Sequence, residues 1–292
     1  MAQEEKTSKS AFLFFIDKDP ERGIDTESLE AVEKEVGKNK AEDLYLVIES
    51  YGGSPFSAVA IMNILHSHFK TIHTIVPRFA KSAGTLMSLG TDVIYMREKS
   101  ALGPLDLPIE HHRDGSRISA LDVVNTTTAM AELVDSIAKE RYEFFKNKQI
   151  PSKEAAKCAI ESATDFVEPI ISQVDPYHLQ KARRELRIGS WYAIDMLLNR
   201  MMKGDVNKAQ RTARHLVHLF PAHEYSIYFN DAKNLLGLNV KELSTLKIWE
   251  NDLVKKYEQV CNRKFYISYG NLDTEPEKKI TSQKKVVPDN KK

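Results

Sequence analysis

Arg78-Phe79-Ala80-Lys81-Ser82-Ala83-Gly84-Thr85 joins a β-rich run to an apolar run with helical spacing, and its reading decides the fold. Upstream, Ile72 to Val76 is short and β-branched, as a buried strand should be. Downstream, Ala83, Leu86, Met87 and Gly90 recur at helical intervals. Ser82 therefore falls at a predicted strand-to-helix turn, where the N–H groups of the first helical turn lack partners and favour negative charge. A serine in that place is either a helix N-cap or a nucleophile. On this segment alone the cap is the commoner role.

A second segment shifts that balance. Leu44 to Ile48 reads as an apolar strand and ends in Glu49-Ser50-Tyr51-Gly52-Gly53-Ser54, ahead of another helical pattern beginning near Pro55. Two glycines let the backbone turn sharply and present bare amides, which an oxyanion hole requires. A plain Gly-Gly turn is the alternative. Because the two loops follow successive strands of consecutive βαβ units, right-handed crossovers bring both to one carboxyl edge of a parallel sheet.

A third segment, Ala101-Leu102-Gly103-Pro104-Leu105-Asp106, follows the next strand. The three motifs in this order resemble the Clp protease/crotonase superfamily. Within it the chain is similar to the serine dehydrogenase proteinase family, relatives of the Clp proteolytic subunit and of signal peptide peptidase A. Asp175 to Ala182 and Phe220-Pro221-Ala222-His223 share the likeness, which runs from Ala11 to Val240. The resemblance implies an α/β fold with a Clp/crotonase-like repeated ββα/βαβ core, a parallel sheet and a helical C-terminal half. It implies a serine peptidase acting on peptide or protein substrates, assembled as a homo-oligomer and needing no cofactor. Ser82 would be the nucleophile, and the amides of Gly52, Gly53 and Ala83 the oxyanion hole.

The general base is less plainly marked. The Clp proteolytic subunit takes it from the segment that matches Ala101 to Asp106, which here holds no histidine. His223 falls near the position of that family's third catalytic group and is the first choice, since imidazole both accepts and returns a proton near neutrality. Asp106 would orient it. The alternatives are His111 or His112, in a polar loop with Arg113, Asp114 and Gly115, and Lys139, for a serine–lysine dyad. Lys139 stands in Ala138-Lys139-Glu140-Arg141, on a charged helix face, and Asp135 is the residue that aligns with the dyad lysine. Lys81 is expected to point away from Ser82 into the substrate cleft. Two competing classes stay open: a non-catalytic binding or scaffold protein, and a crotonase-like enzyme of acyl thioesters in which the serine is incidental.

The rest of the chain divides into a polar lead at 1–10, an α/β catalytic core at 11–118, a helical portion completing the same fold at 119–262 and an extension at 263–292. The extension is expected to be disordered beyond 274, where Lys, Glu, Pro and Gln dominate. In the core, Phe12–Asp17 and Val93–Met96 read as further strands, and Ser28–Val36 and Ala58–Phe69 as helices. Helical periods follow at Leu121–Lys148, Asp175–Met202 and Lys208–Leu219. A short strand at Tyr225–Tyr228 and helices at Asp231–Leu236 and Val240–Val260 close the fold. With 42 basic and 41 acidic residues, no overall field points to nucleic acid or anionic membrane. Lys181, Arg183, Arg184 and Arg187 form one local basic cluster, read as a solvated face or a subunit contact. The two cysteines, Cys158 and Cys261, lack metal-ligand spacing and suit a reducing compartment. No apolar run reaches bilayer-spanning length, so a soluble cytoplasmic protein is expected. His66, His68 and His73 have no Glu or Cys at ligand spacing, and the glycines match neither the dinucleotide fingerprint nor the phosphate loop, so no metal or nucleotide is implied.

Overall fold

Phe12, Phe14 and Ile16 alternate with Leu13 and Phe15 along the first strand, and each set packs into a different core, one on either face of the sheet. A strand buried on both faces reads as continuous apolar sequence, as this one does. The computed structural model describes residues 10–19, 22–37, 41–111 and 114–272. In chain order the strands are β1 (Ser10–Asp17), β2 (Asp43–Ser50), β3 (Thr71–Val76), β4 (Phe79–Ala80), β5 (Val93–Met96), β6 (Ala101–Leu102), β7 (Pro108–Glu110), β8 (Arg117–Ser119), β9 (Val240–Glu242) and β10 (Phe265–Leu272). The helices are α1 (Thr26–Val36), α2 (Pro55–His68), α3 (Ala83–Leu89), α4 (Ala120–Asn147), α5 (Ser152–Ile171), α6 (Pro176–Asn199), α7 (Val206–His218) and α8 (Val254–Val260).

The main sheet runs β10-β1-β2-β3-β5-β9, parallel except for β10, which pairs antiparallel with the whole of β1. At its carboxyl edge β2 leaves β3 and pairs instead with β4 through Ser50 and Ala80, and β4 pairs with β6. This change of partner curls the sheet and brings the loops after β2, β4 and β6 together. The larger core lies between the sheet and α1, α2, α3, α6 and α7. The smaller one, built on Trp249, Leu253, Tyr257 and Val260, covers the other face.

The α/β class and the parallel core are as the alternation of motifs predicts. Two expectations are corrected. The strand at Tyr225–Tyr228 is a single antiparallel bridge between Ile227 and Leu102. Val240 opens a strand rather than a helix, and short helical turns delay α8 until Val254. The extension begins with an ordered strand, β10, that closes one edge of the sheet. The polar loop carrying His111 is the turn of an antiparallel hairpin, β7–β8. The polar lead at 1–9, His112, Arg113 and the tail from 273 lie outside the described residues.

Candidate active site

At the end of β2 the chain turns through Gly52 and Gly53, at φ +112° and +145°, a region that side chains rarely enter. A Cβ on Gly52 would lie 2.8 Å from the Ser82 Cβ, and one on Gly53 would lie 2.1 Å from the Ile24 nitrogen. The glycines are therefore required by close approach on both sides. Ile24 N–H donates to Gly52 O and Ser54 N–H to Ile24 O, each at 2.7 Å, while Lys81 N–H donates to Ser50 O at 2.8 Å. The Gly-Gly loop is thus stitched between the segment before α1 and the turn before α3.

Ser82 occupies that turn at φ 48° and ψ −114°, outside the regions a residue with a Cβ ordinarily adopts. It stands at the cap position of α3, yet its hydroxyl makes no capping bond. The role that is commoner for a lone serine is therefore not the one it fills. Such strain persists only where the surroundings over-determine it, and it concentrates at functional sites. Nearby amides divide in two. Gly52 N–H donates to Ser50 Oγ at 3.0 Å, so this expected oxyanion donor is already engaged. Among the described residues neither Gly53 N–H nor Ala83 N–H meets an acceptor, which leaves two amides beside Ser82 for an incoming oxygen.

His223 stands in the loop after α7, with Nδ1 3.0 Å from Asp106 Oδ1. Ser119 Oγ donates to the other Asp106 oxygen at 2.8 Å, and Asp106 is 2 % exposed. The Asp106 hydrogen bond raises the His223 pKa above the ordinary imidazole value, outweighing the burial that acts against it. With Nδ1 facing the carboxylate, Nε2 is the nitrogen left for proton exchange. The segment bearing Asp106 is fixed to the serine turn by Thr85. Its buried hydroxyl lies 2.7 Å from Ala80 O and 3.0 Å from Gly103 O, and accepts from Gly103 N–H at 2.8 Å. Helix α6 presses on the same segment: a Cβ on Gly189 would lie 2.9 Å from Leu105 O.

Ser82, Gly52, Gly53 and His223 all line one open cleft of about 640 Å³, with Phe56, Leu107 and Ile109 supplying apolar wall. Asp106 backs His223 from behind. The cleft excludes the other base candidates among its described lining residues. His111 Nδ1 faces Asp114 Oδ1 at 3.1 Å in the β7–β8 turn. Lys139 is exposed on α4, about 28 Å along the helix from its start at 1.5 Å per residue, and Asp135 is exposed on the same helix. Lys81 does not enter the cleft as expected. It folds back, its Nζ donating to Leu102 O, Tyr225 O and Ser226 Oγ. The basic cluster also divides: Lys181 reaches the cleft beside Glu185, while Arg183, Arg184 and Arg187 are exposed. Sequence reasoning missed Ser50, Thr85 and Ser119. Ser50 and Thr85 carried a signal, their places within Glu49-Ser50-Tyr51-Gly52-Gly53-Ser54 and Lys81-Ser82-Ala83-Gly84-Thr85.

Residues 22–164 match the family of ClpP-like SDH-type serine proteinases. Two uncharacterised proteins of Methanocaldococcus jannaschii are each 27% identical, over 155 and 124 residues. The matches take in 52% and 37% of this chain and 48% and 42% of theirs, so the chain spans less than half the length of these curated relatives. Among solved structures, a mutant of the membrane-bound stomatin-specific protease 1510-N with a substrate peptide aligns at 16% identity and TM-score 0.33, over 52% of this chain and 65% of that one. An enoyl-CoA hydratase from Mycobacterium smegmatis aligns at 13% identity and TM-score 0.23, over 75% and 85%. No described helix is long and apolar enough to cross a membrane.

Proposed function

We propose, for a chain whose residues 22–164 match the ClpP-like SDH-type serine proteinase family, a serine peptidase that cleaves peptide bonds through Ser82. The observation that carries this reading is the His223–Asp106 pair on the wall of the cleft that Ser82 lines. A serine hydroxyl is a weak nucleophile until a base takes its proton. In this reading Ser82 Oγ attacks the carbonyl carbon of a bound peptide as its proton passes to His223 Nε2, and Asp106 stabilises the imidazolium through Nδ1–H. The carbonyl oxygen, now negative, is held by the N–H groups of Gly53 and Ala83, with Gly52 shaping the loop rather than donating. The carbon–nitrogen bond then breaks, His223 returns the proton to the leaving amine, and water releases the acyl group from Ser82 by the same steps in reverse order.

The chain works in this reading as a homo-oligomer in a reducing, cytoplasmic compartment, without nucleic acid. The support is the family likeness, two free cysteines, and the α4–α5 hairpin, which shows Phe144, Ile160 and Phe166 to solvent. Sedimentation velocity reads the assembly, and a monomer at micromolar concentration would remove that part.

A serine-reactive fluorophosphonate tests the chemistry. Labelling is expected in the wild type, absent in Ser82→Ala, and reduced about 100-fold or more in His223→Ala. A folded wild type that takes no label would favour a binding or scaffold role on the same fold.

A further inference from the structure

We propose that Lys81 is a positioning residue whose ammonium clamps the segments carrying Asp106 and His223 onto the turn carrying Ser82. Its catalytic meaning rests on the peptidase reading, but the clamp itself does not.

Lys81 Nζ lies 3.1 Å from Leu102 O, 2.9 Å from Tyr225 O and 2.9 Å from Ser226 Oγ. An ammonium has three N–H donors and no acceptor, and here each donor has one oxygen. Two of the three are carbonyls, which only accept, so the arrangement is satisfied by the charged form. Burial pulls the Lys81 pKa down, yet the contacts are those of a donor and not of a general base. The lysine beside the nucleophile thus serves as a donor to three oxygens.

The acceptors give the clamp its purpose. Leu102 stands four residues before Asp106, and Tyr225 two residues after His223. The two segments also exchange a pair of backbone hydrogen bonds, Leu102 N–H to Ile227 O at 2.9 Å and Ile227 N–H to Leu102 O at 3.1 Å. Lys81 adds the serine turn to this pairing. The 3.0 Å contact between Asp106 and His223 therefore spans two segments, 117 residues apart in sequence, that meet on one cation. Gly103 shows the same demand: a Cβ there would lie 2.9 Å from Lys81 Cδ and 3.1 Å from Ser82 N, so the lysine stem occupies the space a side chain would need. Misplacing a catalytic group by about 1 Å can cost about 100-fold in rate.

The test is the titration of His223, read by peptide-resolved hydrogen–deuterium exchange at the imidazole C2 position, alongside the pH profile of fluorophosphonate labelling. It compares wild type, Lys81→Met and the control Lys99→Met, which removes a cation from the neighbouring cavity that Lys81 also lines. The charged groups that act on His223 are Asp106, from the segment after β6, and Glu224, on its own loop. Removing a nearby cation would by itself raise an imidazole pKa, whereas loosening the Asp106 contact lowers it toward the ordinary value of about 6.5. The clamp thus predicts a downward shift in Lys81→Met, with labelling slowed about 100-fold and its midpoint shifted down, and no change in Lys99→Met. A folded Lys81→Met with a wild-type or raised His223 titration overturns the proposal. Should that variant not fold, Lys81→Gln, which keeps two donors, is read by the same criterion. Failure of the wild type to label would sink the peptidase reading and leave the His223 titration to judge the clamp alone.

Discussion

Ser82 sits on backbone that a side chain normally avoids, and its neighbours make the position tolerable: Gly52 gives way to its Cβ, and Lys81 N–H is held by Ser50 O. In the peptidase reading a strained serine gains nothing without a base in the correct protonation state, and His223 would determine when that holds. Its pKa is raised, first by the Asp106 hydrogen bond, so more alkali than usual is needed to produce the neutral imidazole. Labelling of Ser82 is therefore expected to rise with pH through a midpoint above the ordinary value of about 6.5. In Asp106→Asn the midpoint should fall and the rate should drop by about 10⁴-fold, as loss of the orienting carboxylate does in a Ser-His-Asp triad. A wild-type midpoint at or below 6.5 would contradict the pairing. The same shift has a stability consequence of definite sign. A group with a raised folded pKa contributes stability that is fully present below its unfolded value and lost as pH rises through the folded one. The charged His223–Asp106 pair thus stabilises the fold on the acid side and fades as labelling begins, so the molecule is least braced there when it is most reactive.

Elements place these residues, and the short ones matter most. β4 and β6 have two residues each, yet they carry the sheet's change of partner and bring three loops to one edge. Thr85, on α3, binds that edge to the Gly103 segment. Thr85→Val keeps the shape, removes the hydroxyl and leaves the Gly103 N–H without its acceptor. It is expected to cost about 1–3 kcal/mol in urea denaturation, with slower labelling from the loosened Asp106 segment; an unchanged midpoint in urea would show the hydroxyl to be idle. The long elements were legible from sequence because periodicity needs several turns to declare itself, and α2, α4, α6 and α7 each supply them. The Gly-Gly loop and the serine turn were legible because glycine and small polar residues mark bends. What escaped detection was short, or had its reason elsewhere in the chain. β9 has three residues, too few for a pattern, and Val240 reads equally as the start of a helix. α5 left a trace in Ala155, Ala159, Ala163 and Val167, the buried stripe that packs the hairpin, but alanines at fourfold spacing carry little hydrophobic contrast. The orientation of Lys81 could not have been read at all, since two of its acceptors lie 144 and 145 residues away.

At the scale of the whole molecule, the half of the chain that carries the candidate site is not closed by its own residues. Glu49, at the carboxyl end of β2, is fully buried, and its charge is answered from both ends of the described chain. Arg78 Nη2 lies 2.5 Å and Lys18 Nζ 3.5 Å from Oε1, while Tyr257 OH donates to Oε2 at 2.5 Å. Arg78 and Lys18 also donate to Cys261 O, so the end of α8 is part of the same knot. Burial first, and then Glu49, push the Tyr257 pKa up and keep its hydroxyl a donor. Beside this, β10 pairs with the full length of β1 and removes an edge that would otherwise be open. The C-terminal part, through Phe265–Leu272, thus completes the sheet on which the site stands. Because Glu49 opens the loop that ends at Gly53, strength at this knot should be felt at the Gly53 amide. Tyr257→Phe removes one hydroxyl and no packing. It is expected to destabilise the fold by about 1.5–3 kcal/mol, the range for a hydrogen bond to a charged group. Glu49→Gln weakens the knot from the other side, and if the two residues act through their contact, the double variant will lose less than the sum of the single losses, by about 0.5–3 kcal/mol in a double-mutant cycle. Strict additivity in urea denaturation would mean that α8 closes the fold by apolar packing around Trp249 and Leu253, with the Glu49–Tyr257 contact contributing nothing of its own.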